Sequence, residues 1–322
     1  MGASDLSWRF NDGPILAIES SCDETSAAVL DGSSILSNVI SSQIEMHQRW
    51  GGVVPEAAAR AHVEAIVPVI DEALSTAGLA LRDVTGVCAT NRPGLVGALS
   101  VGATAAKALA FALGVPAIGV HHLEGHLLSP LGVLPGTSPS ELTPPFLSLI
   151  VSGGHTELVR VTGLGEYEII AQTLDDAAGE AFDKTARLLG LGYPGGKAVQ
   201  ETALGGNRTR YALPRGVAND ANSFSFSGLK TAVLRLVEKE GPHISVADAA
   251  ASVQSAIVDA LNSKVEMALE AFPECRTFAL AGGVAANIAL RDRLARTCAK
   301  HGRSFTPAPF ELCTDNAAMI GL

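Results

Sequence analysis

The sequence predicts an α/β protein built from two halves of like design. Three observations carry this. Apolar strand-like runs alternate with segments of helical period, each half opens on a strand, a polar turn and a second strand, and a proline-rich break separates the halves.

From Pro14, ILAIES reads as a strand, SCDETS as a polar turn and AAVLDG as a second strand, with SILSNVISSQ as a third. A hydroxyl-rich hairpin tip of this kind can meet a phosphate. Residues 55–77 place Ala61, Ile66, Val69, Ile70 and Leu74 at helical spacing. A strand at 84–90, a Pro-Gly turn, a long helix of small residues and the short strand AIGV follow. HHLEGH then opens a helix that ends near Pro130. Residues 131–145, LGVLPGTSPSELTPP, hold four prolines and two glycines and read as a linker.

The second half repeats the device in FLSLIVSGGHTELVRVTG, two apolar strands around a small polar turn. A helical region from Asp175 to Leu191 leads to YPGG, a polar loop and FSFSGLKTAV. A helix from Val246 to Phe272, the strand TFALAG, the turn GGVAAN, another helix and FELCTDNAAMI complete the chain. The expected organisation is a first lobe at 14–130, a linker at 131–145 and a second lobe at 146–307, with 308–322 returning to the first. Two such halves describe the actin, sugar-kinase and Hsp70 architecture, in which a nucleotide lies in the cleft between lobes. Fold alone does not fix the chemistry.

The composition sets limits. Among 322 residues, 47% are hydrophobic and 17% charged, enough for extensive burial. A net charge of −10 argues against a chain that grips nucleic acid unaided, because phosphate neutralisation supplies that affinity. Cys22, Cys88, Cys275, Cys298 and Cys313 are odd in number and scattered without a CxxC pair. That pattern excludes a disulfide framework or zinc knuckle and fits a reducing compartment. MGASDLSWRFNDG lacks a basic start and apolar core, so no secretory signal is expected, and Leu6 breaks the myristoylation pattern. Residues 96–115, VGALSVGATAAKALAFALGV, are long enough to span a bilayer, but Lys107 near the centre favours a buried, tightly packed helix.

Several segments could carry chemistry. In HHLEGH, His122 and His126 fall one helical turn apart and can share a metal ion, while solvated or capping histidines fit the same spacing. Glu124 lies about 200° around the axis from His122, away from the pair, so the hydrolytic base of an HExxH protease is missing. VSGGHTEL leaves the backbone around Ser152, Gly153 and Gly154 accessible to a phosphate, or forms a tight hairpin with a core histidine. GGVAAN, between a strand and a helix, brings backbone to a helix N-terminus. DDAAGEAFDK sets Asp176, Glu180 and Asp183 on one helical face, solvated or lining a cleft. Asp315 in CTDNAAM is either an N-cap or a hard oxygen ligand completing the histidine pair.

Taken in order, IESSCDETSAAV (18–29), GGVVPEAAARAH (51–62), PGLVGALSVG (93–102), HHLEGH (121–126) and LIVSGGHTEL (149–158) closely resemble the TsaD/Kae/Gcp family. So do DDAAGEAFDKTARLLGLGYPGG (175–196), FSFSGLKT (224–231), AGGVAAN (281–287) and CTDNAAM (313–319). The resemblance spans nearly the whole chain from Ile15 and is of the bacterial or organellar type. It implies an ASKHA fold of two RNase-H-like lobes with an interlobe cleft. It also implies transfer of a threonylcarbamoyl group from threonylcarbamoyl-AMP to N6 of the adenosine beside the anticodon, in transfer RNAs that read codons beginning with A. The product is threonylcarbamoyladenosine, and AMP leaves.

Carried onto this chain, the resemblance implies metal ligands at His122, His126 and Asp315. Adenylate contacts are implied at Ile150, Val151, Ser152, Gly153, Gly154, Asp183, Gly196 and Asn287. The metal would be iron, with zinc or magnesium as alternatives, set between the lobes where it can stabilise charge developing at the carbonyl. No protein nucleophile is expected, since adenylate is already a good leaving group. Expected partners are transfer RNA, a TsaB-like paralogue and a TsaE-like ATPase, with a homodimer possible, no membrane and a cytoplasmic location.

Three departures from the family pattern stand out. Arg92-Pro93-Gly94 replaces the usual Gly-Pro-Gly, and Gln200 stands where many relatives carry an acid that reaches the ribose, so weaker nucleotide affinity is expected. The chain also ends at Leu322, where relatives run some tens of residues further, so the sequence is either trimmed or lacks their final helix and tail, which bears on the stability of the first lobe. The rival readings are an ASKHA ATPase or kinase, which would need a carboxylate magnesium site, and a non-catalytic scaffold subunit, which would lack the metal triad.

Overall fold

The computed structural model describes residues 13–50, 52–140, 142–216 and 220–322, and the N-terminal readings above fall outside that set. The chain divides into two compact units, Met1–Ser140 with Asp315–Leu322, and Glu141–Thr314.

In the first unit, β1 (Ile15–Glu19), β2 (Glu24–Asp31) and β3 (Ser34–Ser42) form an antiparallel meander, followed by α1 (Ile44–Gln48) and α2 (Pro55–Ala77). β1 is buried along its whole length because it lies inside the sheet, with β2 antiparallel on one side and β4 (Gly86–Arg92) parallel on the other. That position explains its unbroken apolar run, where a half-exposed strand would alternate. α2 has the bounds its periodicity predicts: Pro55 at its first turn presets the backbone, and Gly78 ends it at φ +70°, a left-handed cap.

α3 (Val96–Leu113) leads to β5 (Ala117–His121) and α4 (His122–Leu128). The expectation of a fully buried α3 is not met. Only Ala98, Gly102, Ala106 and Ala110 are buried, one stripe at four-residue spacing, and Phe111 is 91% exposed. The physical reason is close approach along a single face. A Cβ at Gly102 would strike the Ser20 side chain, so the small residues serve close contact with the first strand, while Val101, Ala105 and Leu109 pack on the core only in part. By length and composition alone α3 could still cross a membrane.

In the second unit, β6 (Phe146–Val151), β7 (Thr156–Gly163) and β8 (Glu166–Thr173) form another meander, and β8 was not legible as a strand in the sequence. Then come α5 (Ala178–Leu188), α6 (Gly195–Ala203), the short β9 (Ser223–Phe224), α7 (Ser227–Glu240) and α8 (Val246–Ala271). β10 (Thr277–Ala281), α9 (Ile288–Lys300) and β11 (Ser304–Pro307) complete it. The sheet orders are β3-β2-β1-β4-β5 and β11-β10-β6-β7-β8-β9. In each, a three-strand meander is extended beside its first strand by two parallel strands, so the duplication read from the two hairpins extends to the whole topology.

The final helix, α10 (Ala318–Gly321), belongs to the first unit. It is held there by hydrogen bonds from Ala317 N to Ser26 Oγ at 2.9 Å and from Ala318 N to Asn38 Oδ1 at 3.3 Å. Gly125 of α4 makes room for it, since a Cβ there would lie 2.8 Å from Ile320 Cδ1.

Candidate functional site

Helical spacing puts His122 and His126 on one face of α4, with ring centroids 4.8 Å apart and the planes at 84°. The docking of α10 carries Asp315 to the same place. Asp315 Oδ1 lies 3.1 Å from His126 Nε2 and 3.5 Å from His122 Nε2. One ligand atom from each residue can be chosen so that all lie within 4.8 Å of one another, and Glu124 is not among them. Asp315 is no N-cap, because α10 is capped by Ala317.

Behind His122 sits Glu19, 1% exposed at the end of β1. Its Oε2 accepts from His122 Nδ1 at 3.1 Å and from the Thr90 hydroxyl, while Oε1 accepts from Ser21 N at 2.5 Å. With its Nδ1 proton held by a carboxylate, His122 turns Nε2 toward Asp315, the arrangement that orients imidazole ligands in metalloproteins. His126 lacks such support: its Nδ1 is buried and has no hydrogen-bond partner among the described residues. Sequence reading missed Glu19, although a carboxylate ending an apolar buried strand is itself a signal.

Charge follows this geometry. Burial would depress His122, but the charge and hydrogen bond of Asp315, then Glu19, push it up to about 10. Burial would raise Asp315, yet His122 and then His126 hold its carboxyl well below the usual carboxylate range. Two nitrogens and a carboxylate are a donor set for a divalent transition ion, so the residues present fit a metal. The first hairpin tip carries acids beside Asp315. Ser21 N is committed to Glu19, and Glu24 is pushed up to about 9 by burial and then by the charges of Asp23 and Asp315.

The second unit holds a cavity of about 510 Å³ lined mainly by apolar and backbone surface. Of the predicted adenylate residues, Gly153, Asp183, Gly196 and Asn287 line it. Ile150 and Val151 do not; both are buried in β6, paired on its two sides with β10 and β7 or with β7 alone. Ser152 shapes the turn: its N–H donates to His155 O at 2.8 Å, and its Oγ accepts from His155 N at 3.1 Å. Gly179 packs against that turn so tightly that a Cβ would come 2.5 Å from Ser152 O.

Asp183 Oδ1 accepts from Gly195 N at 2.7 Å, fixing the start of α6. Asp176 and Glu180 do not line the cavity; Lys184 pairs with them at 2.7 and 2.8 Å. The GGVAAN segment lines the cavity through Gly283, Val284, Ala286 and Asn287. It forms a 3-10 turn, and the first donors of α9 are already used, Ile288 N by Gln200 Oε1 at 2.7 Å and Leu290 N by Asn287 Oδ1 at 3.0 Å. Asn287 Nδ2 in turn donates to Gln254 Oε1 at 2.9 Å, a support not anticipated from sequence.

Comparison with known proteins decides the family. The family described as TsaD, tRNA N6-adenosine threonylcarbamoyltransferase, matches residues 34–322. A protein of that same name from Brucella anthropi is 52% identical over 320 residues, covering 95% of this chain and 88% of its own length. The chain belongs to the TsaD family.

Two solved structures show the same ASKHA fold and carry nothing beyond it. Full-length HypF has a TM-score of 0.62 at 14% identity, covering 96% of this chain and 45% of its own. Component A of the (R)-2-hydroxyglutaryl-CoA dehydratase of Acidaminococcus fermentans has a TM-score of 0.54 at 14% identity, covering 95% of each chain. Against the TsaD pattern, the Arg92 departure lies exposed at the end of β4, opposite His121 in the register. It helps keep that histidine below its ordinary value, after the effect of burial. The Gln200 departure lines the cavity, with its amide oxygen already bonded to Ile288.

Proposed function

We propose that this chain, as a TsaD transferase, moves the threonylcarbamoyl group from threonylcarbamoyl-AMP to N6 of the adenosine 3′ of the anticodon, in transfer RNAs that read codons beginning with A. The amine nitrogen bonds to the carbamoyl carbonyl carbon, that carbon's bond to the phosphate oxygen breaks, AMP leaves and the amine gives up a proton. Beside family membership, the observation that supports this most is the meeting of His122, His126 and Asp315 from distant segments.

His122, His126 and Asp315 would hold one divalent ion, iron in this proposal. Bound there, it supplies a Lewis acid for charge developing on the transferred carbonyl. Glu19, accepting from Nδ1, aims the Nε2 of His122 at the ion. In the cavity, the Gly153 and Gly154 turn offers backbone donors to the adenylate, while Asp183, Gly196 and Asn287 shape its wall. Ile150, Val151 and Ser152 act from behind as the strand and turn that fix those donors. The lobes at 14–130 and 146–307, joined through 131–145, are the proposed working halves. We assign the chain to the cytoplasm, with TsaB-like and TsaE-like subunits as partners and a homodimer as its possible self-association.

The test is threonylcarbamoyl transfer to transfer RNA with metal content measured in parallel, for wild type and His126→Ala. Loss of both supports the assignment. Retention of both would remove the metal role, and ATP turnover without adenylate or transfer RNA would favour a kinase or ATPase instead.

A further inference from the structure

A second cavity of the Glu141–Thr314 unit, about 270 Å³, opens where the loop after α6 meets α8 and α9. Arg208 from the loop and Arg293 and Arg296 from α9 line it, together with Asp259 and Asp292. The three arginines outnumber these two acids. Asp259 is divided between two cations, accepting from Arg215 Nε at 3.0 Å with Oδ2 and lying 3.8 Å from Arg293 Nη2 with Oδ1. Arg208 and Arg296 have no hydrogen-bond or ion-pair partner among the described residues. Arg293 Nε is buried and meets no acceptor.

The arginines are also held in position. Arg293 and Arg296 are three residues apart on α9 and so share a face. Arg208 sits in a pinned loop: Asn207 N donates to Asp248 Oδ1 at 2.7 Å, and Thr209 N and Oγ1 donate to Asn207 Oδ1 at 3.0 and 2.8 Å. Asp248 stays below the usual carboxylate range through that Asn207 bond and one from Ser245, so the pin is charged. Planar guanidinium forks on a fixed frame suit tetrahedral phosphate oxygens. A cavity of this size has room for a phosphate group, and its two unpaired arginines are exposed, within reach of a macromolecule's backbone.

We infer that this groove is a docking site for a phosphodiester of the transfer RNA backbone, seated on Arg208, Arg293 and Arg296. The inference rests on the transferase reading and deepens it, by locating an anchor for the RNA on a chain of net charge −10. The anchor fixes position and carries no base specificity.

The test is binding of a transfer RNA transcript to the full chain over a sodium chloride series. Wild type is compared with Arg208→Gln/Arg296→Gln and with the charge-keeping pair Arg208→Lys/Arg296→Lys. Because it no longer neutralises that phosphate, the Gln pair lowers the slope of log K against log salt by about 0.7 to 0.9. Low-salt affinity falls about tenfold, while the Lys pair stays within about twofold of wild type. AMP binding, read separately, is unchanged in both pairs. Equal slopes for the Gln pair and wild type overturn the inference, as does absence of salt-dependent binding by wild type. A thermal shift by inorganic phosphate that the Gln pair loses, with RNA binding intact, assigns the groove to free phosphate and also overturns it. Should RNA binding behave as expected while wild type transfers nothing, the groove stands and the transferase reading falls.

Discussion

The two candidate sites are made of different material. The His122, His126 and Asp315 cluster is built from three titratable side chains whose separation is set by two docked helices, with Asp315 Oδ1 shared between the histidines. The cavity of the second unit is built mostly from glycine turns, apolar side chains and helix ends, and its polar groups largely serve one another. Loss of one ligand in the first should therefore be abrupt, because an incomplete donor set does not hold a metal. Change in the second should be graded, because many small contacts share the work.

The largest effect is expected from His126→Ala. His126 is fully buried and contributes one of three ligating atoms, so the variant should bind little metal. Transfer should fall by at least about 10²-fold, the order expected when a group stabilising developing charge is removed. Metal content by plasma mass spectrometry, with a transfer assay on the same sample, checks both, and near-full metal loading would contradict the contrast between the sites.

Next comes Glu19→Gln, which keeps the shape and an acceptor for His122 but removes the charge. Metal affinity should drop about 10–100-fold, as for other outer carboxylate partners of ligating histidines. Nucleotide binding in the second unit should not change. A chelator competition titration beside AMP binding separates these, and equal losses in both would show that Glu19 supports the fold more than the ligand.

The sequence made these two sites unequally legible. The ligand pair could be read because helical geometry fixes the spacing of His122 and His126, and residue type fixes what they can bind. Asp315 could not be placed by spacing, since its position depends on α10 packing against Gly125 and on bonds to Ser26 and Asn38, all long-range. Residue type offered it as an N-cap or a ligand, and the family resemblance chose between the two. In the cavity, the strands flanking SGGHT were clear from their apolar runs, but Ile150 and Val151 proved to be core residues because β6 is covered on both faces. In GGVAAN the final Asn287 is a local capping signal, but the bond from Ile288 to Gln200 is long-range and nothing in the sequence reveals it. Similarly, α3 has the composition of a buried helix but only one buried stripe, since composition reports what can be buried and not how many faces are covered.

A smaller effect should appear in the metal-free protein as pH changes. His122 is raised from 6.5 to about 10, so its stabilising contribution is complete below about pH 6.5 and is lost as pH climbs toward 10. Asp315 works in the opposite sense, contributing above its ordinary value of 3.8 and losing that contribution only in strong acid. The melting temperature of the metal-free wild type should therefore exceed that of His122→Asn near neutral pH, and the gap should close toward about pH 10. A gap that widens with pH would mean that His122 is neutral in the folded metal-free chain.

The smallest effect belongs to the graded site, at Gln200. Its Oε1 is fixed by Ile288 N at 2.7 Å, so what remains on the amide for a ligand is a donor. A ribose hydroxyl facing it must act as acceptor, although hydroxyl groups bind carboxylates better by donating. In Gln200→Glu one oxygen keeps the Ile288 bond and the other becomes a charged acceptor, while Lys197, 4.0 Å from Glu201 on the same helix, offsets part of the added charge. Gain of one such bond is worth about 1 kcal/mol, so AMP should bind about fivefold more tightly. A 2′,3′-dideoxy analogue should show no gain, since it has no hydroxyl to donate. Calorimetry with both nucleotides reads the difference, and an equal gain for the two would mean that position 200 acts through the helix end of α9 and not through the ligand.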